Sequence, residues 1–383
     1  MKIAIVSPYD LAVPGGVQVQ VKGLAAALAR SGDEILVVAP GRGNSISIPG
    51  TTVVAVGRSL GIPVNGSRAP VAVSTQAMRR TLVALAAAQA DIVHVHEPLV
   101  PGPSLAATLR SDKPVIGTFH RARTSTPYVL FGHAFRRVIR NLDDRVAVSD
   151  VAAETLRKAV GRVEVSVLAN AVDVEPFSRA VPIRPTAPTA LFVGRIERRK
   201  GLAILLEAFS GLAGDFRLRV VGDGPEARHL RRQFASDNRI TWLGRLDDDG
   251  RNAELAGADL FVAPSLGGES FGIVLLEAMA ASTAVLASDL PGYRAAGGQA
   301  AQYVPPGNVR ALRDRLAAML FDQDERARSA ALGRERASGF SFDLLARSYS
   351  ERYAAVLDEG GRHRARHHLG HQGGRGRART LKE

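Results

Sequence analysis

Two glutamates eight positions apart, Glu269 and Glu277, bracket an apolar run that opens on glycines: Gly267-Gly268-Glu269-Ser270-Phe271-Gly272-Ile273-Val274-Leu275-Leu276-Glu277. A carboxylate is poorly suited to hold phosphate but accepts hydrogen bonds from sugar or ribose hydroxyls. After the glycines the pattern predicts a helix, and the first backbone N–H groups of a helix attract phosphate or polarised oxygen. Glu269 then falls at the mouth of that helix, and Glu277 about two turns further along it. Such an arrangement suits a site that holds a sugar and a nucleotide together. The plainer alternative is a buried helix with two solvated glutamates.

A basic segment supplies a complementary half. Ala190-Leu191-Phe192-Val193-Gly194 predicts a short strand, followed by Arg195-Ile196-Glu197-Arg198-Arg199-Lys200-Gly201 and an amphipathic run from Leu202 to Leu212. In open α/β sheets ligands bind at the carboxyl ends of strands. Arg195 and Lys200 fall in that loop, where a guanidinium and an ammonium could grip a diphosphate. Arg198 and Arg199 are expected to be solvated, with Arg199 adjoining the site. Near the start of the chain, the strand Lys2 to Ser7 is followed by Pro14-Gly15-Gly16-Val17 and a helix to about Arg30. Glycines there let backbone amides approach a phosphate closely. Gly222-Asp223-Gly224-Pro225 lacks the third glycine of a dinucleotide fingerprint and reads as a turn.

The elements that must position these residues alternate as short strands and longer helices, which predicts an α/β fold with parallel sheets. Strands are expected near Lys2, Glu34, Thr51, Asp91, Pro114, Asp144 and Val163, and in a second series near Ala190, Phe216, Ile240, Asp259, Ala284 and Ala301. Between the series, Val181-Pro182-Ile183-Arg184-Pro185-Thr186-Ala187-Pro188 cannot propagate a helix and is taken as an interdomain linker. At 383 residues the chain is long enough for two domains, each with its own core. The domains are placed at 1–180 and 190–341, with 181–189 between them.

Composition excludes several classes of function. There are no cysteines, hence no disulfides and no thiolate metal sites, which is compatible with a cytoplasmic location. Met1 to Ser7 is too short for a signal peptide. No apolar segment reaches the about 20 residues that span a bilayer, so any membrane contact is expected to be peripheral. The formal net charge is +13, and residues 361–383 carry six arginines and one lysine against one glutamate, a net +6. That Gly- and His-rich tail is expected to be disordered, with solubility, anionic lipid or nonspecific nucleic acid as its possible business. Arg121, Arg123, Arg136, Arg137 and Arg140 surround Tyr128-Val129-Leu130-Phe131, either as a surface for an anionic membrane or as an ordinary helix with a solvated face.

Taken together, the Gly-Gly loop, Thr118-Phe119-His120, Asn170-Ala171-Val172-Asp173, the Gly-Arg…Lys-Gly loop and the two-glutamate run resemble the retaining glycosyltransferases of family 4, over Met1 to about Leu357. Within that family the chain is most similar to actinobacterial phosphatidylinositol mannosyltransferases. The pointers are Ser7-Pro8-Tyr9, Val13-Pro14-Gly15-Gly16-Val17-Gln18, Asn65-Gly66-Ser67, His96-Glu97-Pro98 and Leu266 to Val274. The resemblance implies a GT-B fold, two Rossmann-like parallel-sheet domains facing across a cleft, with a last helix at about 342–357 packing back on the first domain. It implies transfer of mannose from GDP-mannose to a phosphatidylinositol-type lipid, by an enzyme in the cytoplasm peripherally associated with the inner face of the plasma membrane.

On the donor side the resemblance assigns the Gly16 amide, Arg195 and Lys200, with Arg199 beside them, to the diphosphate, and Glu277 to the ribose. Arg245, Leu246 and Asp247 fall near the base. Glu269, with the backbone of Ser270, Phe271, Gly272 and Ile273, falls to the transferred sugar, and His120 to the reacting carbon. Tyr9, Gln18 and Asn65 match acceptor-side positions. Catalysis is then expected to rest on His120, Arg195, Lys200 and Glu269, with no metal and no cofactor. Asp247-Asp248-Asp249 reads as an acidic turn rather than a metal site. The chain departs from the family pattern at Ala171, where glycine is usual, and at Pro70, where arginine is usual and Arg68 is the candidate replacement. The segment Ser74 to Ala90 also carries only Arg79 and Arg80 as basic residues. Rival readings are a UDP-sugar donor, another lipid or small-molecule acceptor, a sugar-nucleotide epimerase, or a noncatalytic basic membrane- or nucleic-acid-associated protein. Nothing in the sequence specifies an oligomeric state.

Overall fold

The computed structural model describes residues 1–42, 46–64, 67–122 and 132–372. Short β-branched and aliphatic runs form the strands; the central ones are buried on both faces, as parallel sheets require, and the edge strands only in part. In the first half these are β1 (Lys2–Val6), β2 (Glu34–Ala39), β3 (Thr51–Ala55), β6 (Ile92–His96), β7 (Val115–Phe119), β8 (Asp144–Ala147) and β9 (Ser166–Val167). They pair in the order β3-β2-β1-β6-β7-β8-β9, parallel throughout. The second half forms a parallel sheet in the order β12-β11-β10-β13-β14-β15, from β10 (Thr189–Val193), β11 (Arg217–Val221), β12 (Ile240–Gly244), β13 (Leu260–Ala263), β14 (Ala284–Ser288) and β15 (Ala301–Val304). Two parallel-sheet α/β domains result, each with its own buried clusters.

Three features differ from the sequence expectations. An antiparallel hairpin of β4 (Leu60–Val64) and β5 (Ser67–Val71) stands apart from both sheets. Its Gly61, Pro63 and Pro70 are residue types that argue against a strand, and an isolated ribbon tolerates them where a central strand does not. The strand expected near Val163 is two residues long and begins at Ser166. The last helix runs from Phe342 to Gln372, past Leu357 and into the stretch expected to be disordered. That stretch contains no proline to stop a helix.

Residues 181–188 contain no helix or strand. They lie against the Asp248–Gly257 helix, where the Ile183 amide donates to the Ala253 carbonyl. The Phe342–Gln372 helix contributes Phe342, Ala346, Tyr349 and Tyr353 to the core of the first domain. Gly23, on the Gly16–Arg30 helix, makes room for it: a Cβ there would stand 2.2 Å from the Phe342 ring.

Candidate active site

A cleft of about 580 Å³ lies between the carboxyl ends of the two sheets. Tyr9, Pro14, Gly16, Gln18 and Pro70 line one side, and Gly194, Arg195, Gly222, Asp223, Arg245 and Leu246 line the other. The Gly16–Arg30 helix of the first domain begins at it, and the Ile273–Ala280 helix of the second begins close by. Gly15 precedes the Gly16–Arg30 helix and Gly272 precedes the Ile273–Ala280 helix, and neither end has a side-chain cap. The two ends meet, since a Cβ at Gly16 would lie 3.6 Å from Ile273 Cδ1. Two uncapped helix starts this close together make the region favourable to an anion.

The floor of the second-domain side is shaped by a close backbone approach. At Gly222, with φ of +132°, a Cβ would stand 1.9 Å from the Gly194 carbonyl oxygen. The Gly222-Asp223-Gly224-Pro225 turn thus joins the loops after β10 and β11 and helps to line the cleft, a role beyond the simple turn expected.

Beside it runs a chain of opposite charges. Glu269 Oε1 accepts from Lys200 Nζ at 2.9 Å, from Arg199 Nη1 at 3.0 Å and from Ser265 Oγ at 3.0 Å. Ser265 Oγ is in turn 2.7 Å from the Tyr293 hydroxyl. Arg199 Nε lies 2.7 Å from Glu197 Oε1, and Arg195 Nε lies 3.5 Å from Glu197 Oε2. The Glu197 contacts are ion pairs without hydrogen-bond alignment. Burial pushes the Glu269 carboxyl up, but the Lys200 and Arg199 charges outweigh it and hold its pKa below the ordinary value. Arg199, expected to be solvated, is half-buried and bridges two glutamates, whereas Arg195 and Arg198 are exposed. The residues of this cluster come from loops some seventy positions apart, and only the pairing of β10 with β13 brings them together.

The Glu269–Gly272 turn is tightly packed. A Cβ at Gly272, φ +101°, would meet Tyr293 Cδ1 at 2.6 Å, and one at Gly292 would meet the Glu269 carbonyl at 2.4 Å. Ser270 is half-buried at this turn, and the Phe271 side chain belongs to the core beneath it. Glu277 lies about one turn into the Ile273–Ala280 helix, with Oε1 3.7 Å from Arg251 Nη2. Burial raises its pKa, against the lowering charge of Arg251. Among the base-side residues Arg245 and Leu246 line the cleft. The Asp247 side chain instead caps the Asp248–Gly257 helix by accepting from the Gly250 amide at 2.9 Å. The three aspartates therefore form a helix start rather than an acidic turn, with negative charge where the helix dipole favours it.

On the first-domain side, Tyr9 and Gln18 line the cleft. The Asp10 amide donates to the Pro70 carbonyl at 2.9 Å, and Tyr9 bridges to Val71, so the hairpin is fixed to this wall. Arg68 sits on β5 opposite Pro63. Asn65, Arg123 and Tyr128 to Phe131 lie outside the described residues. Ala171, at the family's usual glycine position, is buried, and Gln20 clamps its backbone with two 2.8 Å hydrogen bonds.

His120 follows the last residue of β7 and is 8% exposed. Its Nε2 lies 2.9 Å from His96 Nδ1, and the two rings stack with His94 behind them. His94 bridges the Tyr353 hydroxyl and Thr118 Oγ1, both at 2.7 Å, and Thr118 reaches the Tyr349 hydroxyl at 2.8 Å. Burial lowers His120 and His94 to about 3, so both are neutral near pH 7. Sequence reasoning singled out His120, took His96-Glu97-Pro98 only as a mark of the resemblance without a role, and passed over His94. The signal was present, since polar residues at the end of an apolar strand stand at the binding edge of such a sheet.

Two facing parallel-sheet domains with their strand ends turned to one cleft define a GT-B glycosyltransferase. Two family descriptions match the chain, "Glycosyltransferase Family 4" over residues 14–176 and "Glycosyl transferases group 1" over residues 187–322. The chain is 36% identical to a phosphatidyl-myo-inositol mannosyltransferase of Mycobacterium leprae, covering 94% of this chain and 98% of the relative. With that of Mycolicibacterium smegmatis it shares 37% identity, covering 94% and 95%. The chain belongs to the family 4 glycosyltransferases, in the group that contains these mannosyltransferases. Solved structures share the fold at lower identity. A sucrose-phosphate synthase from Thermosynechococcus elongatus matches with a TM-score of 0.76 at 19% identity, over 94% of this chain and 99% of that one. Anabaena HepE, solved with UDP and glucose, matches with a TM-score of 0.73 at 17% identity, over 93% and 100%.

Proposed function

We propose that this glycosyltransferase moves mannose from GDP-mannose to a phosphatidylinositol-type lipid with retention at the anomeric carbon. The observation that carries the donor half is the uncapped helix start at Gly16 and Arg195 in one interdomain cleft, with a second uncapped helix start, at Ile273, close by. A diphosphate seated there accepts the Gly16 amide and neutralises Arg195 and Lys200. Lys200 then stands between the diphosphate and Glu269, which takes sugar hydroxyls on the carboxylate edge that Lys200 and Arg199 leave open. Glu277 accepts from the ribose, and Leu246 and Arg245 flank the base. The identity of the acceptor is supported by the two mycobacterial relatives named above.

In the transfer step the bond from the anomeric carbon to the leaving phosphate oxygen breaks, and the acceptor oxygen bonds to the same face. The acceptor proton passes to a phosphate oxygen of the departing diphosphate. Glu269 is engaged by two cations and a serine, and serves as a positioning group rather than a nucleophile. The rate then comes from alignment and from cations placed where negative charge develops. His120, neutral at pH 7, stands at the acceptor wall as a hydrogen-bond partner. The linker at 181–189 acts as a hinge that closes the first domain onto a donor held by the second. Among the described residues no helix is long and apolar enough to cross a membrane, and the lipid is reached by peripheral contact at the cytoplasmic face.

The test is nucleoside diphosphate release with GDP-mannose or UDP-sugars, with and without phosphatidylinositol vesicles. Release of GDP stimulated by those vesicles, with a mannosylated lipid product, is expected. Activity with a UDP-sugar alone would overturn the donor assignment, and indifference to the vesicles would overturn the acceptor.

A further inference from the structure

Glu97 follows the last residue of β6 and is 1% exposed, one of the most deeply buried carboxylates among the described residues. Its backbone is left-handed, φ +49°, a conformation that a residue with a side chain adopts at some cost. Three hydrogen bonds hold it there. Its amide donates to the Thr118 carbonyl at 2.7 Å, its carbonyl accepts from the Val100 amide at 2.9 Å, and its Oε1 accepts from the His120 amide at 2.7 Å. Its Oε2 has no hydrogen-bond partner among the described residues. A buried carboxylate with one unsatisfied oxygen and a strained backbone is destabilising for the fold alone. Strain of this kind is held in place where it serves a site.

The neighbours of Glu97 say what that service is. Its carboxyl acts electrostatically on Tyr9, which lines the cleft, and on it in turn act the Arg121 guanidinium and the His120 and Arg121 amides. The side chain therefore fixes the turn after β7 through the His120 amide, on the side of the fold where Tyr9 lines the cleft. We propose that Glu97 is a positioning residue for the transfer reaction: its carboxylate holds the His120 amide, and so sets the His120–Arg121 turn at the acceptor wall. The proposal rests on the placement of His120 at that wall under Proposed function.

The experiment compares Glu97→Gly, Glu97→Gln, His120→Ala and the Glu97→Gly/His120→Ala double variant. Glycine relieves the left-handed backbone, so loss of the side chain is tested without added strain. Glutamine keeps an amide oxygen for the His120 N–H. Turnover, acceptor KM, thermal midpoint and GDP affinity are measured for each, with UDP in place of GDP if the donor panel selects it. Because misplacement of a reacting group costs rate rather than donor binding, Glu97→Gly is expected to lose about ten-fold or more in kcat. Its GDP affinity is expected to stay within about two-fold, and Glu97→Gln to keep kcat within about three-fold, as a retained acceptor implies. If Glu97 acts through His120, the double variant is no slower than His120→Ala. Full turnover in Glu97→Gly, equal losses in Gly and Gln, or multiplied losses in the double variant would each overturn the positioning role. Full turnover in His120→Ala overturns the placement of His120 itself, and is seen without touching Glu97.

Discussion

Lys200→Met is the most informative single change at the site, because it removes an ammonium and keeps most of the apolar stem. In the folded chain Lys200 Nζ is one of three donors to Glu269 Oε1, and the two side chains are 19% and 10% exposed. Arg199 and Ser265 remain after the change. A hydrogen bond to a charged group contributes about 1.5–3 kcal/mol, and with two donors left the expected loss is about 1–2 kcal/mol at pH 7. The loss depends on pH with a definite sign. The Glu269 carboxyl is held below its ordinary 4.5, so the pair stabilises the fold above that value and ceases to do so as pH falls below it. Urea unfolding at pH 7 and at about pH 3.5 should therefore show a wild-type advantage that shrinks in acid. Turnover should fall much further than stability. If Lys200 faces the leaving diphosphate as proposed, its loss costs about 2.7 kcal/mol of transition-state stabilisation, or about a hundred-fold in kcat. Turnover within two-fold of wild type would refute the assignment of Lys200 to the leaving group. A stability gap that stays constant through the acid range would refute the ion pair as its source.

The glycines at the cleft should separate into two kinds. Gly222→Ala forces a Cβ to within 1.9 Å of the Gly194 carbonyl and should unfold the cleft floor, lowering the thermal midpoint by several degrees. Gly16→Ala meets only Ile273 at ordinary contact distance, so its melting should match wild type while titration shows weaker nucleoside diphosphate binding. Tyr353→Phe leaves His94 Nδ1 buried without its partner and should cost about 1–3 kcal/mol in urea unfolding with the cleft unchanged. Burial lowers His94 and His120 to about 3, and lowers His96 as well, so below about 6.5 the unfolded chain binds protons that the folded chain does not. Stability should then fall with acidification between about pH 6.5 and 3, by about 1.4 kcal/mol per pH unit for each such histidine, and His94→Asn should flatten the slope in unfolding measured across that range.

What could be read without coordinates is what chemistry demands of adjacent residues. A helix start that meets a phosphate needs glycine before it, and a strand end that meets a diphosphate needs a cation after it. Gly15-Gly16, Arg195 to Gly201 and Glu269 to Glu277 carry those demands within a few positions each. The alternation of strands and helices was legible for the same reason, since both periods are local. The hairpin at Leu60 to Val71 was not, because its prolines and glycines oppose a strand and only Asn65-Gly66 hinted at a turn. Arg199 shows the second limit: three basic residues in a row look solvated until β10 and β13 lie side by side and Glu269 arrives from seventy positions away. Glu97 shows it more sharply. The register of β6 on β7 sets His96 beside Thr118, which places the following residue of one strand under the last residues of the other. A glutamate in the sequence His-Glu-Pro has no local reason to be buried. It is buried because the paired strands bring its carboxylate under the His120 amide, a placement that exists only once β6 and β7 lie side by side.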